Sequence, residues 1–302
     1  MKSDILVSGL LNIETTVAVR EFPINYYPID YPFFGVNSNV SGVGCNIAKA
    51  LKALGDKVEV ISFLGNDDEA QRVLNDLERH NIKTDYIQMT LKNTPASVVL
   101  FDPQGKRQVY CDLKDIQEQS VSPEYVKKLL DKTDLAVLCN INFNRNLIKF
   151  IKESGIITAT DVHVLSDLND EYNYEFMSNA DILFLSDEKL PCKADEFIKQ
   201  IRDKYHNRII VIGMGAKGAM MLEEKSDDAV IVSAYNGTKV VNTVGAGDAL
   251  FSSFIHFYSK GYSAIDSLKR AVVFAGIKIG FNGASIGFSD EDKINDIISI
   301  IQ

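Results

Sequence analysis

The sequence is short of three things: a surplus of positive charge, clustered cysteines or histidines, and any long apolar run. Each shortage excludes a class of function. Lysine and arginine number 32 against 41 aspartates and glutamates, a net charge of −9, so neither a nucleic acid nor a membrane is an expected partner. ATP stays open, because a local anion hole and Mg2+ handle its charge without a basic surface. The four cysteines, Cys45, Cys111, Cys139 and Cys192, are irregularly spaced with no C-x-x-C pair. They read as reduced, mostly buried thiols of a cytoplasmic protein, not as a disulfide frame or a metal site. The four histidines, His80, His163, His206 and His256, show no ligand spacing either. His80 and His206 fall near expected helix ends, where a solvated role fits. No apolar run is long enough to span a bilayer. Met1-Lys2-Ser3-Asp4 leads straight into an apolar strand, with no secretory leader expected.

What the chain does have is organised around Asn242-Thr243-Val244-Gly245-Ala246-Gly247-Asp248-Ala249-Leu250-Phe251. Extended runs are expected before it, over Ala229 to Val232 and Lys239 to Val241. After it, Leu250, Phe251, Phe254, Ile255 and Tyr258 recur at the helical period, which predicts a helix ending near Gly261. A glycine-rich helix start offers unpaired N–H groups and the positive end of the helix dipole, a ready anion site. Asp248 in that first turn can take the proton from an attacking hydroxyl beside a bound phosphate. Gly-Ala-Gly-Asp arises by chance in a chain of this length about once in 100, and a helix start with a dipole-matched aspartate explains it equally well. The rest of the chain has to decide.

Along the chain, Asn12 and Glu14 alternate with Leu11 and Ile13, so both share one face of an extended segment. The span from Val17 to Val40, rich in Phe, Tyr and Pro, predicts a small β flap that covers a site or meets a partner. Ser41 to Ala48 opens an amphipathic helix that stops at Gly55. Residues 97–111 carry a hairpin pattern turning at Asp102-Pro103-Gln104-Gly105. Beyond residue 122 strands alternate with helices, which argues for one large α/β domain with a mostly parallel sheet covered on both faces. The small β lid is drawn from about 12–40 and 95–113. Gly213-Met214-Gly215-Ala216-Lys217-Gly218 matches G-x-G-x-x-G after a good strand, but a short strand and a polar turn follow where a dinucleotide site requires a helix. A hydride-transfer enzyme is set aside on that mismatch, and no P-loop pattern exists.

At this point the chain resembles, nearly end to end, the ribokinase-like or PfkB-type family of sugar and nucleoside kinases. Thr243-Val244-Gly245-Ala246-Gly247-Asp248 is similar to the family's D-T-x-G-A-G-D block, and Gly42-Val43-Gly44-Cys45-Asn46-Ile47-Ala48 to its N-terminal glycine-rich block. Asn12-Ile13-Glu14 stands where the family has N-x-D, and Gly215-x-x-Gly218 resembles its nucleotide-side loop. The resemblance implies a ribokinase-like three-layer sandwich and an ATP- and Mg2+-dependent kinase. Asp248 is then the base, and the amides of Gly245, Ala246 and Gly247 form the anion hole. Asn12, Glu14, Gly42, Gly44 and Asn46 would hold substrate hydroxyls, while Ser186, Gly213, Gly215, Gly218 and Thr243 would meet the nucleotide.

The departures are specific. The family's N-x-x-E position reads Ser186-Asp187-Glu188-Lys189, so Asp187 or Glu188 is left to serve the metal through water. The acid linked to a monovalent-cation site is Asn242, which weakens the expectation of K+ dependence. The sugar-clamp aspartate is Glu14, one methylene longer. Asn242, Met214-Gly215-x-x-Gly218 and Val43-Gly44-x-Asn46-Ile47-Ala48 resemble the pseudouridine-kinase branch, which keeps a nucleoside open beside a free sugar. Tyr26, Tyr27, Phe33 and Phe34 suit stacking on a base or a homodimer seam through the lid. A non-catalytic sugar sensor is the alternative that the altered Ser186–Lys189 stretch motivates.

Overall fold

The computed structural model describes residues 4–301; residues 1–3, where no leader was expected, and residue 302 lie outside them. The first half contains β1 (Asp4–Ser8), β2 (Asn12–Ala18), β3 (Val36–Ser41), α1 (Val43–Ala53), β4 (Lys57–Gly65), α2 (Asp68–Arg79) and β5 (Ile87–Leu91). There follow β6 (Ala96–Phe101), β7 (Arg107–Asp112), α3 (Pro123–Leu130), β8 (Thr133–Leu138), α4 (Arg145–Glu153), β9 (Ile157–Val164) and α5 (Tyr174–Asn179). The last third holds β10 (Ile182–Ser186), α6 (Ala194–Tyr205), β11 (Ile209–Gly213), β12 (Ala219–Glu223), β13 (Val230–Val232), α7 (Ala246–Ser259), α8 (Ala264–Lys278) and α9 (Glu291–Ile301).

The main sheet runs β13-β12-β11-β10-β9-β8-β1-β4-β5, parallel from β11 to β5, with β12 and β13 closing one edge antiparallel. Strands buried on both faces need uninterrupted apolar runs, and Ile182–Leu185 and Ile209–Ile212 are such runs with every residue buried. The order reverses at β1: the chain moves outward through β4 to β5, then returns to β8 on the other side. Parallel crossovers are right-handed, so α1 and α2 lie on one face and α4, α5 and α6 on the other. The helix α7 is buried around its whole circumference from Ala249 to Phe257. Phe251 and Phe254 pack on Phe184 of β10 with ring centroids 4.9 and 5.2 Å away. That anchors the N-terminus of α7 over the carboxyl ends of the strands, where ligands bind in open α/β sheets.

A second sheet, β3-β2-β6-β7, stands beside the first. Its face toward the body carries Asn12, Glu14 and Thr16, all buried, as the two-residue period requires. Its edge strand β7 is exposed at every residue. Arg72 of α2 ties this sheet down by donating to the Ser38 hydroxyl and carbonyl at 2.8 and 2.5 Å.

Some expectations fail. Lys239 to Val241 form no strand; Val240 and Val241 are exposed, and the Val241 and Asn242 amides donate instead to the Ile279 carbonyl. Only two of the four thiols, Cys45 and Cys139, are buried, because Cys111 lies on the open β7 edge and Cys192 is partly exposed. All four are free. The G-x-G-x-x-G stretch leads into a single 3-10 turn and then β12, with no helix to hold a dinucleotide.

Candidate active site

The site is built where three glycine-bearing backbones converge. Gly42 precedes α1 at φ +100, and a Cβ there would lie 2.5 Å from the Leu10 carbonyl oxygen, so only glycine lets α1 start this close to the β1–β2 turn. Gly245 precedes α7 at φ +76, with a Cβ position 2.6 Å from the Ala284 carbonyl oxygen. At Gly247 a Cβ would meet nothing within 4 Å, so the space in front of the first turn of α7 is open. The Gly245 and Gly247 amides have no protein partner among the described residues, whereas the Ala246 amide closes a turn onto the Thr243 carbonyl at 3.1 Å. Unpaired amides at a helix start are the donors an anion needs.

Asp248 stands in that first turn. Asn46, in the first turn of α1, donates its side-chain amide to Asp248 Oδ2 at 2.7 Å and accepts from the Ser41 hydroxyl at 3.2 Å. Asn46 is therefore no helix cap; Gly42 holds that place without a side-chain bond. Asp248 keeps partial solvent contact, yet protein crowds its carboxylate enough that burial raises its pKa above the ordinary aspartate value. His163, the Asn46 bond and Lys278 oppose that rise, and Asp161 adds to it. A carboxylate that is reluctant to stay charged is a better proton acceptor.

Glu14 faces this group from β2. It is buried, and its pKa is raised first by burial and then by Asp248, against Ser41, Lys278 and Arg107. Glu14 Oε1 and Asn12 Oδ1 are buried with no hydrogen-bond partner, although the Asn12 amide donates to Ser97 at 3.0 Å. Buried polar atoms are normally paired, so these two acceptors stay open to donors from outside the protein.

On the other flank, Ser186 and Gly213 are paired at the carboxyl ends of β10 and β11. Gly213 lies against Leu250 of α7, 3.6 Å from its would-be Cβ, which brings the Gly215–Gly218 turn beside the α7 N-terminus. Thr243 is exposed in the same loop. Asp187 is partly buried, with its amide on the Gly213 carbonyl, and Glu188 is exposed. No cluster of three or more His, Cys, Asp or Glu side chains able to hold a metal occurs among the described residues.

The sequence matches the pfkB family carbohydrate kinase pattern over residues 2–291. The chain belongs to that family. This kinase is similar to a deoxyribokinase of Salmonella typhi, 25% identical over 98% of this chain and 99% of that one. It is also similar to a ribokinase of Dictyostelium discoideum, 23% identical over 98% and 100%. Among solved structures it superposes on a microbiome-derived acarbose kinase with TM-score 0.89 at 20% identity, covering 99% and 100% of the two chains. A nucleoside kinase of Methanocaldococcus jannaschii gives TM-score 0.81 at 18% identity, covering 99% of each. The protein is a sugar or nucleoside kinase with the ribokinase fold, and kinases of this family use ATP and Mg2+.

Sequence reading missed four charged groups around the two carboxylates: Asp161 and His163 in the second half of β9 and Lys278 of α8 act on Asp248, and Arg107 of β7 acts with Lys278 on Glu14. Only Lys278 left a trace, as a lone charge in the apolar run Ala271 to Ile279. His163 holds φ +61 while its amide binds Asp161 at 2.8 Å, a conformation that side chains other than glycine seldom adopt.

The raised pKa of Asp248 makes a prediction about stability. The folded state holds this proton more tightly than the unfolded chain, so ionisation weakens folding once pH exceeds the unfolded value, and increasingly until it passes the folded one. Asp248→Asn, which can still accept the Asn46 bond, should melt at or above the parent temperature at neutral pH, with the difference vanishing below about pH 3.5. Differential scanning calorimetry across pH checks this, and a lower melting point at neutral pH contradicts it.

Proposed function

We propose that this kinase phosphorylates a hydroxymethyl group of a small sugar, with Asp248 as general base and the α7 N-terminus as anion hole. The observation that carries the reading is Asp248 itself: a crowded carboxylate, oriented by Asn46 at 2.7 Å, beside free amides. Mg-ATP, when bound, supplies the phosphoryl group and a metal charge that neutralises its oxygens. Glu14 and Asn12 accept hydrogen bonds from sugar hydroxyls and so present the reacting one to Asp248. Asp248 takes its proton as the oxygen attacks. The Gly245 and Gly247 amides donate to the charge on the transferred group, and Ala246 shapes the turn that aims them. Gly42 and Gly44 let the chain pass close enough to line the sugar pocket. Ser186, Gly213, Gly215, Gly218 and Thr243 line the nucleotide flank, with Asp187 or Glu188 reaching the metal through water. The second sheet closes over the sugar as a lid and excludes water.

Substrate assignment rests on ADP release with Mg-ATP against pentoses, hexoses and nucleosides including pseudouridine, with Asp248→Asn in parallel. The expected result is turnover of a sugar and a loss of about 1,000-fold or more in the folded variant. A nucleoside as best acceptor favours the pseudouridine-type reading. A ligand that raises the melting temperature without ADP release makes the protein a sensor, and a fully active variant rejects Asp248 as base.

The lid's outer face exposes Val98 and Tyr110 as a cross-strand pair, and the β2–β3 loop exposes Tyr26, Phe33 and Phe34. We infer that a second copy of the chain covers it, because an apolar strip along an open strand edge invites pairing. Light scattering should read a dimer that Tyr110→Lys dissociates; a monomeric parent dismisses this arrangement.

A further inference from the structure

Lys278, the last residue of α8, is fully buried. Its ammonium donates to the Val244 carbonyl, and among the described residues no carboxylate lies within ion-pair distance of it. Desolvating a charge is unfavourable unless partners compensate, so an apolar side chain would serve packing better here. The surroundings show what the charge faces. Asp248 and then Glu14 favour the ammonium, Arg107 opposes it, and burial lowers its pKa to about 8.

The Val244 carbonyl has a particular place in the loop. In a regular helix start it would accept from the amide four residues on, that of Asp248, but no such bond forms. The ammonium has taken that carbonyl, and the Asp248 amide is left free beside those of Gly245 and Gly247. The other side of the same residue is also held: the Val244 amide donates to Asn242 Oδ1 at 2.8 Å, and the Asn242 side chain donates to Asn282 at 2.9 Å. With Val241 and Asn242 both clipped to the Ile279 carbonyl at 2.8 and 3.0 Å, the loop is fixed from behind by the end of α8.

We propose that Lys278 is a built-in cation of the transfer site, a positioning residue that keeps the α7 amides open to the transferred phosphoryl and offsets the charges of Asp248 and Glu14. The assignment rests on the kinase reading above and deepens it. A tethered ammonium on a loop carbonyl also leaves no need for a dissolved monovalent cation, in keeping with a neutral Asn242 in the same loop.

The test uses the full-length protein and its Lys278→Met and Lys278→Ala variants. In Lys278→Met, kcat should fall about 100-fold or more while the sugar KM changes less than about threefold, since the loop acts on the transferred group. In Lys278→Ala, ammonium or potassium ions should restore at least about tenfold of the loss by refilling the site, and neither ion should change the parent rate. Folded variants within about threefold of the parent, or a loss with no split between kcat and KM and no rescue, overturn the proposal. Affinity for inorganic phosphate, read by calorimetry, separates this from failure of the kinase reading. If the parent turns over no acceptor, a phosphate affinity weakened about tenfold in Lys278→Met still supports the loop assignment, and an unchanged one overturns it. If neither variant folds, the parent decides: kcat for a neutral sugar should decline as pH rises through about 8, and a rate level to about pH 10 contradicts the proposal.

Discussion

The structure depends on keeping one carboxylate, Asp248, ready to ionise where burial disfavours its charge. A helix N-terminus favours an anion, but on the proposed function this one also shares its donors with an incoming phosphate. Asn46 settles the competition by holding Oδ2 from another helix at 2.7 Å, which orients the carboxylate and leaves the backbone amides unspent. That bond spans 202 residues, so α1 and α7 must be brought together before the site exists. The close approach at Gly42 and the aromatic packing of Phe251 and Phe254 on Phe184 are the means.

The same constraint explains the charge pattern around it. Burial raises the pKa of both Glu14 and Asp248, and the Asp248 charge raises that of Glu14 further, which would be unfavourable without Lys278, Arg107 and His163 nearby. Positive charge comes from the end of a helix, the edge of the second sheet and the end of a central strand. These reach the site from separate parts of the chain, so the electrostatic balance exists only in the folded molecule. The acceptors of Glu14 and Asn12 are the part of that balance left unpaired, and the proposed function gives them the sugar hydroxyls.

Much of this was legible in the residues. The helical period after Gly247 gave α7 its limits within two residues, and the alternation of Asn12 and Glu14 put both on the buried face of β2. The absence of a helix after Gly218 correctly removed the dinucleotide reading. What sequence could not show was pairing between distant segments. In the sequence Asn46 is expected to meet a substrate hydroxyl, and nothing nearby in the chain points to its bond with Asp248. Val240 and Val241 look like a strand because β-branched residues favour one, but their backbone is claimed by the α8 terminus. Lys278 shows in the sequence only as a lone charge in an apolar run, and the carbonyl it meets, that of Val244, is seen only once α8 is laid against the 241–245 loop.

The most direct test of the account is the acidic limb of kcat/KM against pH for a neutral sugar, which reports ionisations of the free enzyme. The account predicts a midpoint above the ordinary aspartate value of about 3.9. It also predicts that Asn46→Ala moves the limb higher still, because the lost bond favours ionised Asp248. A limb at or below the ordinary value, or one that Asn46→Ala leaves in place, would contradict the assignment of Asp248 as the crowded, oriented base on which the site is built.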